Sequence, residues 1–346
     1  MKETLLETVC ALCELNGISG QEEEVAKAIT QKAAGFGYTL EKDRLGNLTF
    51  YKGRRDPSRP RLMLSAHMDE VGLLATYLEE DGMVRFVCVG GIDPRVLPGR
   101  QVFLPQSKCW GVIGIKPIHL TDGDQRSKAV SPEDLMVDVG ADTKEAAQKL
   151  VAPGDPILFS GKPEKMGHLL RAKALDDRAG CAVLLHLMEQ LDDPNLLFCF
   201  LVQEEVGCRG AKATAQRLKP DYSIVLEATT AADLAGVSPQ KQVCQLGKGA
   251  VVGFMDRSTI YNKTLYQTAF RLAEAEGIPI QTKTMVAGGN DAGAIHTAAG
   301  GVQTLAISLP CRYLHSPSCV IDPKDGEAVL RLTKIMAEEI VSGRLG

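Results

Sequence analysis

The sequence predicts an α/β fold, a sheet with helices on both faces, interrupted by a separate all-β segment. Near both ends of the chain, apolar runs typical of buried strands alternate with amphipathic helices. Between about Tyr77 and Met166 the pattern changes to short β-like runs separated by Gly, Pro and Asp, as in a small sandwich or barrel. The 346 residues are enough for one large domain and a smaller one.

The first part of the chain favours two helices followed by two strands. MKETLLETVCALCELNG is amphipathic. Ser19 and Glu22 have the spacing of a capping box that would start the second helix, VAKAITQKAA. NLTFYKG favours a strand, and RLMLSAHMD favours a buried strand that stops on His67 and Asp69. The inserted segment holds the runs MVRFVCVGG, RQVFLP, CWGVIGI and PILFS.

Strands and helices alternate again after the inserted segment. ALDDRAGCAVLLHLMEQL predicts a helix from Ala179 onward, although it contains the adjacent acids Asp176 and Asp177 just before that point. The expected strands are LLFCFLVQEE, DYSIVLEA and VQTLAISLP, and the expected helices are residues 211–220, YNKTLYQTAFRLAEAEG and PKDGEAVLRLTKIMAEEIVSG.

The composition argues against several classes of function. The formal net charge is −4, and no basic patch or Lys/Arg run points to nucleic acid or to a membrane surface. No apolar run reaches the length of a bilayer span. The ten cysteines lack the paired CxxC spacing of zinc sites, and the N-terminal stretch lacks the pattern of a secretory signal. We therefore expect free thiols and a cytoplasmic protein.

Polar side chains gather at the ends of the predicted strands. In an open α/β sheet the ligand crevice lies beyond the carboxyl ends of the strands. Five separate segments deliver carboxylates and imidazoles to this edge: His67 with Asp69, Asp176 with Asp177, Glu204 with Glu205, Glu227, and His315.

So many acids in one crevice require a cation to neutralise them. Histidines and carboxylates without cysteine suit zinc, cobalt or manganese. The acids outnumber the ligands that one ion needs, so a pair of ions bridged by one carboxylate would use them better. One acid of the Asp176–Asp177 pair would be that bridge.

Each signal also has an ordinary structural explanation when it is taken alone. Histidine and aspartate after a strand are often loop residues, paired glutamates often form a solvated turn, and aspartates are favoured at a helix N-terminus. His315 could be a plain loop histidine, and His168 is the nearest rival ligand. The signals carry weight together because they occur at sheet edges in one order.

Six motifs carry a resemblance to a known family. They are SAHMDEVG, KALDDRAG, QEEVGCRGA, VLEATTAAD, GGNDAGAIH and RYLHSP, in that order. Together they resemble the M42 metallo-aminopeptidases, which include the tetrahedral (TET) and glutamyl aminopeptidases and some members with an old endoglucanase label. The resemblance implies a phosphorylase/hydrolase-like mixed-sheet core, residues 1–72 and 166–346, and an inserted PDZ-like β-barrel domain for dimerisation or assembly, residues 73–165.

The resemblance also implies two divalent metal ions per subunit. His67 and Glu227 would bind one ion, and Glu205 and His315 would bind the other. Asp176 would bridge both ions. The family often has Asp at the position of Glu227, so the longer side chain could change the geometry there.

The catalytic roles are likewise implied by the resemblance. Glu204 would be the general base and acid. Asp69 would hydrogen-bond His67 and fix its tautomer. The peptide bond between Asp176 and Asp177 would be cis.

The expected activity is removal of N-terminal residues from short peptides, in a dimer or a tetrahedral dodecamer. The loop GGNDAG resembles a wall of the substrate pocket in which Asp291 is the residue to test, although a plain Gly-rich turn fits equally well; Asn290 stands where Thr or Ser is common. A related dinuclear-metal deacylase or carboxypeptidase is the alternative. An endoglucanase is disfavoured because glycosidases need two free carboxyls, and a metal-dependent scaffold would not need Glu204.

Overall fold

The computed structural model describes residues 3–123 and 129–345. These residues form a large sheet, a closed barrel and a small three-stranded sheet. The helices are Leu5–Cys13, Glu23–Ala33, Lys144–Ala147, Leu175–Met188, Arg209–Leu218, Lys263–Ala275, Asp291–Ile295 and Pro323–Val341. The strands in chain order are β1 (Thr39–Lys42), β2 (Leu48–Tyr51), β3 (Leu62–His67), β4 (Gly72–Leu78), β5 (Val84–Val89), β6 (Gln101–Leu104), β7 (Cys109–Gly114), β8 (Met136–Asp138), β9 (Pro156–Phe159), β10 (Glu164–Met166), β11 (Leu169–Ala172), β12 (Leu196–Leu201), β13 (Tyr222–Thr230), β14 (Ala250–Val252), β15 (Ile280–Thr282), β16 (Gln303–Cys311) and β17 (Cys319–Ile321).

The large sheet is mixed and has the strand order β1-β2-β12-β3-β13-β16-β14-β15. Its centre is parallel, since β12 pairs with β3, β3 with β13, and β13 with β16 in the same direction. Antiparallel pairs flank this centre, β2 with β12 on one side and β14 with β16 on the other. Every residue of β3 and β12 is buried, as expected for strands covered on both faces. The predicted α/β sheet is confirmed.

Helices cover the two faces of this sheet. Leu175–Met188 packs against β3 and β13, and it also contacts the N-terminal helix and Pro323–Val341. Arg209–Leu218 packs against β12 and against the short helix Asp291–Ile295. Within the described residues, every helix is too short or too polar to span a membrane.

The capping role expected for Ser19 is wrong. The second helix begins at Glu23, has Glu22 as its N-cap and lacks a side-chain cap. The Ser19 hydroxyl instead donates to Asp69 Oδ2 at 2.6 Å. A serine near a helix start satisfies the pattern of a capping box locally, but here a buried carboxylate from another segment accepts its hydrogen bond.

The inserted segment forms a closed barrel with the strand order β4-β5-β8-β7-β6-β9. Neighbouring strands are antiparallel. Buried side chains such as Leu73, Val102 and Val137 fill a hydrophobic core that is separate from the core of the large sheet. β4 begins soon after the end of β3, and β5 ends just before Gly90 and Gly91. The barrel therefore leaves the sheet directly beside the end of β3.

A fully buried arginine holds the helix that carries the two aspartates. The Arg178 guanidinium donates to the carbonyl oxygens of Leu12 and Met68, each at 2.8 Å. It also lies 3.2 Å from the carboxylate of Glu70, which pairs with the buried Lys173 at 2.7 Å. Arg178 thus joins the end of the first helix and the end of β3 to the helix Leu175–Met188.

Arg178→Met is expected to lower the free energy of unfolding by about 3–5 kcal/mol, because the Glu70 carboxylate loses a partner and buried carbonyl groups lose their donor. The shift would be measured as a lower midpoint of urea unfolding at unchanged slope. Arg95→Met is the matched control, because the Arg95 side chain is exposed and pairs with Asp93 two residues away. An unchanged midpoint for Arg178→Met would contradict this role.

Candidate metal centre

The five predicted ligands lie together at one edge of the sheet. His67 is the last residue of β3, and Glu227 lies in β13. Glu205 follows β12, His315 follows β16, and Asp176 lies after β11 at the start of Leu175–Met188, where its φ and ψ angles are not helical. Because the central strands are parallel, their carboxyl ends meet at this edge.

Asp176 lies between the two histidines. Its Oδ1 is 3.3 Å from His67 Nε2, and its Oδ2 is 3.4 Å from His315 Nε2. Each imidazole has a second carboxylate beside it: Glu227 Oε1 is 3.3 Å from His67 Nε2, and Glu205 Oε2 is 3.3 Å from His315 Nε2. One aspartate is therefore shared by two histidine–glutamate pairs.

Backbone carbonyl groups fix the other nitrogen of each imidazole. His67 Nδ1 lies 3.0 Å from the carbonyl oxygen of Asp69 and 3.4 Å from the Asp69 carboxylate. His315 Nδ1 lies 2.8 Å from the carbonyl oxygen of Gly91. A carbonyl oxygen only accepts hydrogen bonds, so each Nδ1 carries a proton, and each Nε2 is the nitrogen that could bind a cation once it has no proton. Gly91 follows β5, so the segment that leaves the barrel strand helps to orient the His315 imidazole.

The backbone around the ligands adopts uncommon conformations. The peptide bond between Asp176 and Asp177 is cis, as the resemblance implied. Ala174, Gln203 and His315 have φ angles of 53°, 58° and 55°. Non-glycine residues rarely adopt this left-handed region, and those that do often lie at functional sites.

The buried carboxylate of Asp69 joins the sheet to the loop of the two glutamates. It accepts hydrogen bonds from the backbone N–H groups of Glu204 at 3.0 Å and Glu205 at 3.2 Å, besides the one from Ser19. Burial opposes the charged form, but hydrogen bonds from His67 and these donors hold the pKa of Asp69 below its usual value. Asp69 therefore stays ionised and fixes the loop.

The pKa values of the buried carboxyls and of His67 indicate that this group of side chains would be stabilised by bound cations. Burial raises the pKa of Glu205 and Glu227 well above the usual value, and the nearby Asp176 carboxylate raises both further. Burial lowers the pKa of His67, but the Glu227 and Asp176 carboxylates more than offset this, and the pKa lies well above its usual value. The acids can all be ionised together only beside cations.

The donor atoms fit divalent cations. Among the described residues, Glu227 Oε2 and Asp177 Oδ2 are buried without a hydrogen-bond partner, and such atoms are costly unless something binds them. Potential ligand atoms of His67, Asp176 and Glu205 lie within 4.8 Å of one another, as do those of His67, Asp177 and Glu227. Imidazole and carboxylate donors suit zinc, cobalt or manganese. Asp177 is therefore a further buried carboxylate beside His67 and Glu227, in addition to the five predicted ligands.

A cavity of about 260 Å³ opens beside these ligands. Glu204 lines it, and burial raises the pKa of the Glu204 carboxyl above its usual value. Asp176, Glu227 and His315 also line the cavity, and its remaining wall includes Thr229, Thr230, Val243, Lys283, Ala287, Gly288, Gly289, Asn290 and Leu314.

Asp291 and His168 lie outside this cavity wall. Asp291 follows the lining residue Asn290, but it is buried with 1% of its surface exposed. Asn290 caps the short helix, because its side chain accepts a hydrogen bond from the backbone N–H of Ala292. His168, the rival ligand, is exposed and lies 3.9 Å from Asp322.

Sequence reasoning missed the residues that hold the ligands in place. Ser19, Gly91 and Arg178 act through contacts with segments far away in the chain. Lys283 follows the edge strand β15 and carries no local signal of a pocket residue. A signal was available for Arg178, because an arginine inside an apolar helix directly after two aspartates is unusual.

The chain is similar to known aminopeptidases over most of its length. Residues 46–332 match the family described as M42 glutamyl aminopeptidase. The glutamyl aminopeptidase of Lactococcus lactis subsp. cremoris is 33% identical over 338 residues, which cover 93% of this chain and 92% of that protein.

Solved structures show the same likeness. The TET aminopeptidase of a marine sediment Thaumarchaeota archaeon has a TM-score of 0.92 and 33% identity, and the match covers 98% of each chain. The TET1 peptidase of Pyrococcus horikoshii, described as able to assemble into a tetrahedron or a large octahedral shell, has a TM-score of 0.85 and 34% identity over 96% of this chain and 99% of that one. The chain therefore belongs to the M42 family of metal-dependent aminopeptidases.

Proposed function

We propose that this chain removes N-terminal residues from short peptides with two divalent metal ions (zinc, cobalt or manganese) and with Glu204 as the general base. The observation that carries the proposal is the position of Asp176 between two imidazoles, each with its own glutamate. A single ion would need only some of these donors, whereas a pair of ions needs one shared carboxylate.

His67 and Glu227 would hold one ion, Glu205 and His315 the other, and Asp176 would contribute an oxygen to each. When bound, the ions would lower the pKa of a water molecule and polarise the carbonyl group of the scissile bond. The orientation of both imidazoles by backbone carbonyl groups supports this assignment, because it leaves each Nε2 free for a cation.

Glu204 would take the proton of the attacking water and then give it to the leaving amine. Its position on the cavity wall supports this role, and so does its raised pKa, which suits a group that must carry a proton for part of the cycle. Asp69 would position the base, because it accepts the backbone N–H of Glu204. The same carboxylate would help to fix the His67 tautomer.

The cavity wall supports a preference for acidic N-terminal residues. Lys283, Thr229 and Thr230 line the cavity, and Lys283 forms no salt bridge with a carboxylate of the described residues. Lys283→Glu is expected to lower kcat/KM for peptides that begin with Glu by about 10- to 100-fold, because a charge-assisted hydrogen bond is worth about 1.5–3 kcal/mol. The measurement compares peptides that begin with Glu, Leu and Lys.

Lys212→Glu is the control for Lys283→Glu. It makes the same change of charge at an exposed position in the helix Arg209–Leu218. This variant should keep the ranking of the three peptides. If Lys283→Glu also keeps the ranking, Lys283 does not select the substrate.

We further propose that residues 1–72 and 166–346 form the catalytic domain and that residues 73–165 mediate association into a dimer or a tetrahedral dodecamer. Exposed apolar side chains on the barrel support this, since Val87, Trp110 and Val112 are each about half exposed, and such surfaces often mark interfaces. The assembly of the TET1 peptidase of P. horikoshii is consistent with it. Light scattering would give the mass of the assembly.

A related deacylase or carboxypeptidase with two metal ions is the alternative function. The test is a panel of short peptides, each with a free and an N-acetylated terminus, given to chelator-treated chain with and without added zinc, cobalt or manganese. The proposal expects metal-dependent release of single residues from free termini only. Cleavage confined to the acetylated set, or no cleavage with metal bound, would overturn it.

A further inference from the structure

A second cluster of ligand atoms includes Glu204 and none of the five proposed ligands. A carboxylate oxygen of Glu204, the Sγ of Cys208 and a carboxylate oxygen of Asp291 all lie within 4.8 Å of one another. Cys208 Sγ is 3.5 Å from Glu204 Oε1. Cys208 immediately precedes one helix, and Asp291 is the first residue of the short helix packed beside it, so the fold itself brings the three side chains together.

Asp291 differs from two other deeply buried aspartates of the chain, Asp256 and Asp325. Asp256 accepts hydrogen bonds from two backbone N–H groups and the Tyr261 hydroxyl, and Asp325 accepts two backbone N–H groups. Asp291 is as buried as they are, yet neither of its carboxylate oxygens accepts a backbone N–H or hydroxyl hydrogen bond from the described residues, and the donor beside it is the weak Cys208 thiol. A buried carboxylate of this kind is stable when it binds a cation.

We propose that Glu204, Cys208 and Asp291 form a third cation site that takes zinc and that inhibits the enzyme when it is filled. One thiolate and two carboxylates are suitable zinc ligands, and three protein ligands leave a position for water. Ions can enter through the cavity, because Glu204 lines it. The inhibitory part rests on the proposed role of Glu204 as general base.

Binding of zinc at this site releases protons and occupies the Glu204 carboxylate. The Cys208 thiol releases its proton to solvent as the zinc–sulfur bond forms, and protons held by the Glu204 and Asp291 carboxyls leave with it, so at least one proton is released for each ion bound. Glu204 gives a lone pair to the ion and so loses the oxygen that would accept a proton from water. No bond of the substrate changes, and removal of the ion restores the base.

Cobalt titration of the chelator-treated chain tests the site without any substrate. The five proposed ligands of the first two ions contain no sulfur, so a near-ultraviolet thiolate-to-cobalt absorption band should appear only after about two equivalents have bound. Cys208→Ser should abolish the band. Cys181→Ser is the matched control. Cys181 Sγ donates a hydrogen bond to the backbone carbonyl oxygen of His67 at 3.1 Å, so this cysteine lies close to a proposed ligand but outside the proposed third site.

The band decides the location of the site. A band that is absent at all cobalt levels, that survives Cys208→Ser, or that is lost in Cys181→Ser would overturn the proposal. A band that depends on Cys208 supports the site even if the chain cleaves no peptide, in which case the proposed function fails and the site stands.

Zinc inhibition tests the consequence for activity. Excess zinc should inhibit peptide hydrolysis by the fully loaded enzyme, and Cys208→Ser should raise the half-inhibitory zinc concentration by at least about tenfold, since losing a ligand costs more than the 10- to 100-fold effect of an outer partner. Activity that persists while the site is filled, or equal inhibition of both proteins, would overturn the inhibitory role.

Discussion

Glu204→Gln is expected to lower kcat by about 10²- to 10⁴-fold, the usual contribution of a general acid–base group. This loss corresponds to about 2.7–5.4 kcal/mol of transition-state stabilisation. Glutamine keeps the shape of the side chain but accepts no proton, so KM and metal content should change little. Steady-state kinetics on a peptide with a free N-terminus, with metal analysis of the same sample, would measure both.

Glu205→Gln is the matched comparison for Glu204→Gln, because the two residues are neighbours whose backbone N–H groups bind the same Asp69 carboxylate. Only Glu205 lies beside His315 Nε2. Glu205→Gln should therefore lose metal, whereas Glu204→Gln should keep it. A kcat for Glu204→Gln within tenfold of the parent value would remove Glu204 from the role of base.

Asp176→Asn is expected to remove activity through loss of metal, with a fall of at least about 100-fold, because both proposed ions lose a charged ligand. Metal content should drop below two ions per chain. Added metal should no longer raise the melting temperature of the variant, because a metal stabilises the folded chain only when it binds to it. Metal analysis and thermal unfolding with and without zinc would measure these effects.

The parent chain and the variant are also compared without metal. Chelator-treated Asp176→Asn should be less stable than the chelator-treated parent chain near neutral pH, because burial opposes the charge but His315 and His67 hold the pKa of Asp176 below its usual value, so its charged form stabilises the folded chain. Asp192→Asn, at a largely exposed position, should leave metal content and activity unchanged. An Asp176→Asn variant that keeps two ions and normal activity would contradict the shared-carboxylate arrangement.

The sequence predicted the architecture because its patterns are local. The runs that became β3, β12, β13 and β16 are strongly apolar, and polar residues mark their ends. The barrel strands were also visible as short runs between turn residues. The Ser19 prediction failed because a capping pattern describes only four neighbouring residues, whereas the Ser19 hydroxyl has a partner fifty positions away.

The candidate ligands could be listed from sequence, but their pairing could not. The strand ends place His67, Glu205 and Glu227 at one edge, yet only the three-dimensional arrangement shows which carboxylate lies beside which imidazole. The Asp176–Asp177 pair illustrates this point: Asp176 lies between the histidines, while Asp177 is fully buried and accepts the backbone N–H of Gly180. Two residues that are adjacent in the sequence therefore have different surroundings.

The contact between His315 and Gly91 connects the barrel to the ligands. Gly91 lies in the segment that leaves β5, and its carbonyl oxygen holds His315 Nδ1. Nothing in the local sequence around either residue reveals this contact, because the two lie more than two hundred positions apart. The inserted segment thus helps to build the site as well as presenting an exposed apolar surface.

Metal titration of the chelator-treated chain tests the central proposal most directly, with release of the N-terminal residue from a free peptide measured at each addition. The proposed shared Asp176 predicts that activity rises until about two equivalents of ion have bound and that no residue is released from the acetylated peptide. Full activity with one bound ion, or activity that needs no metal, would contradict the proposal.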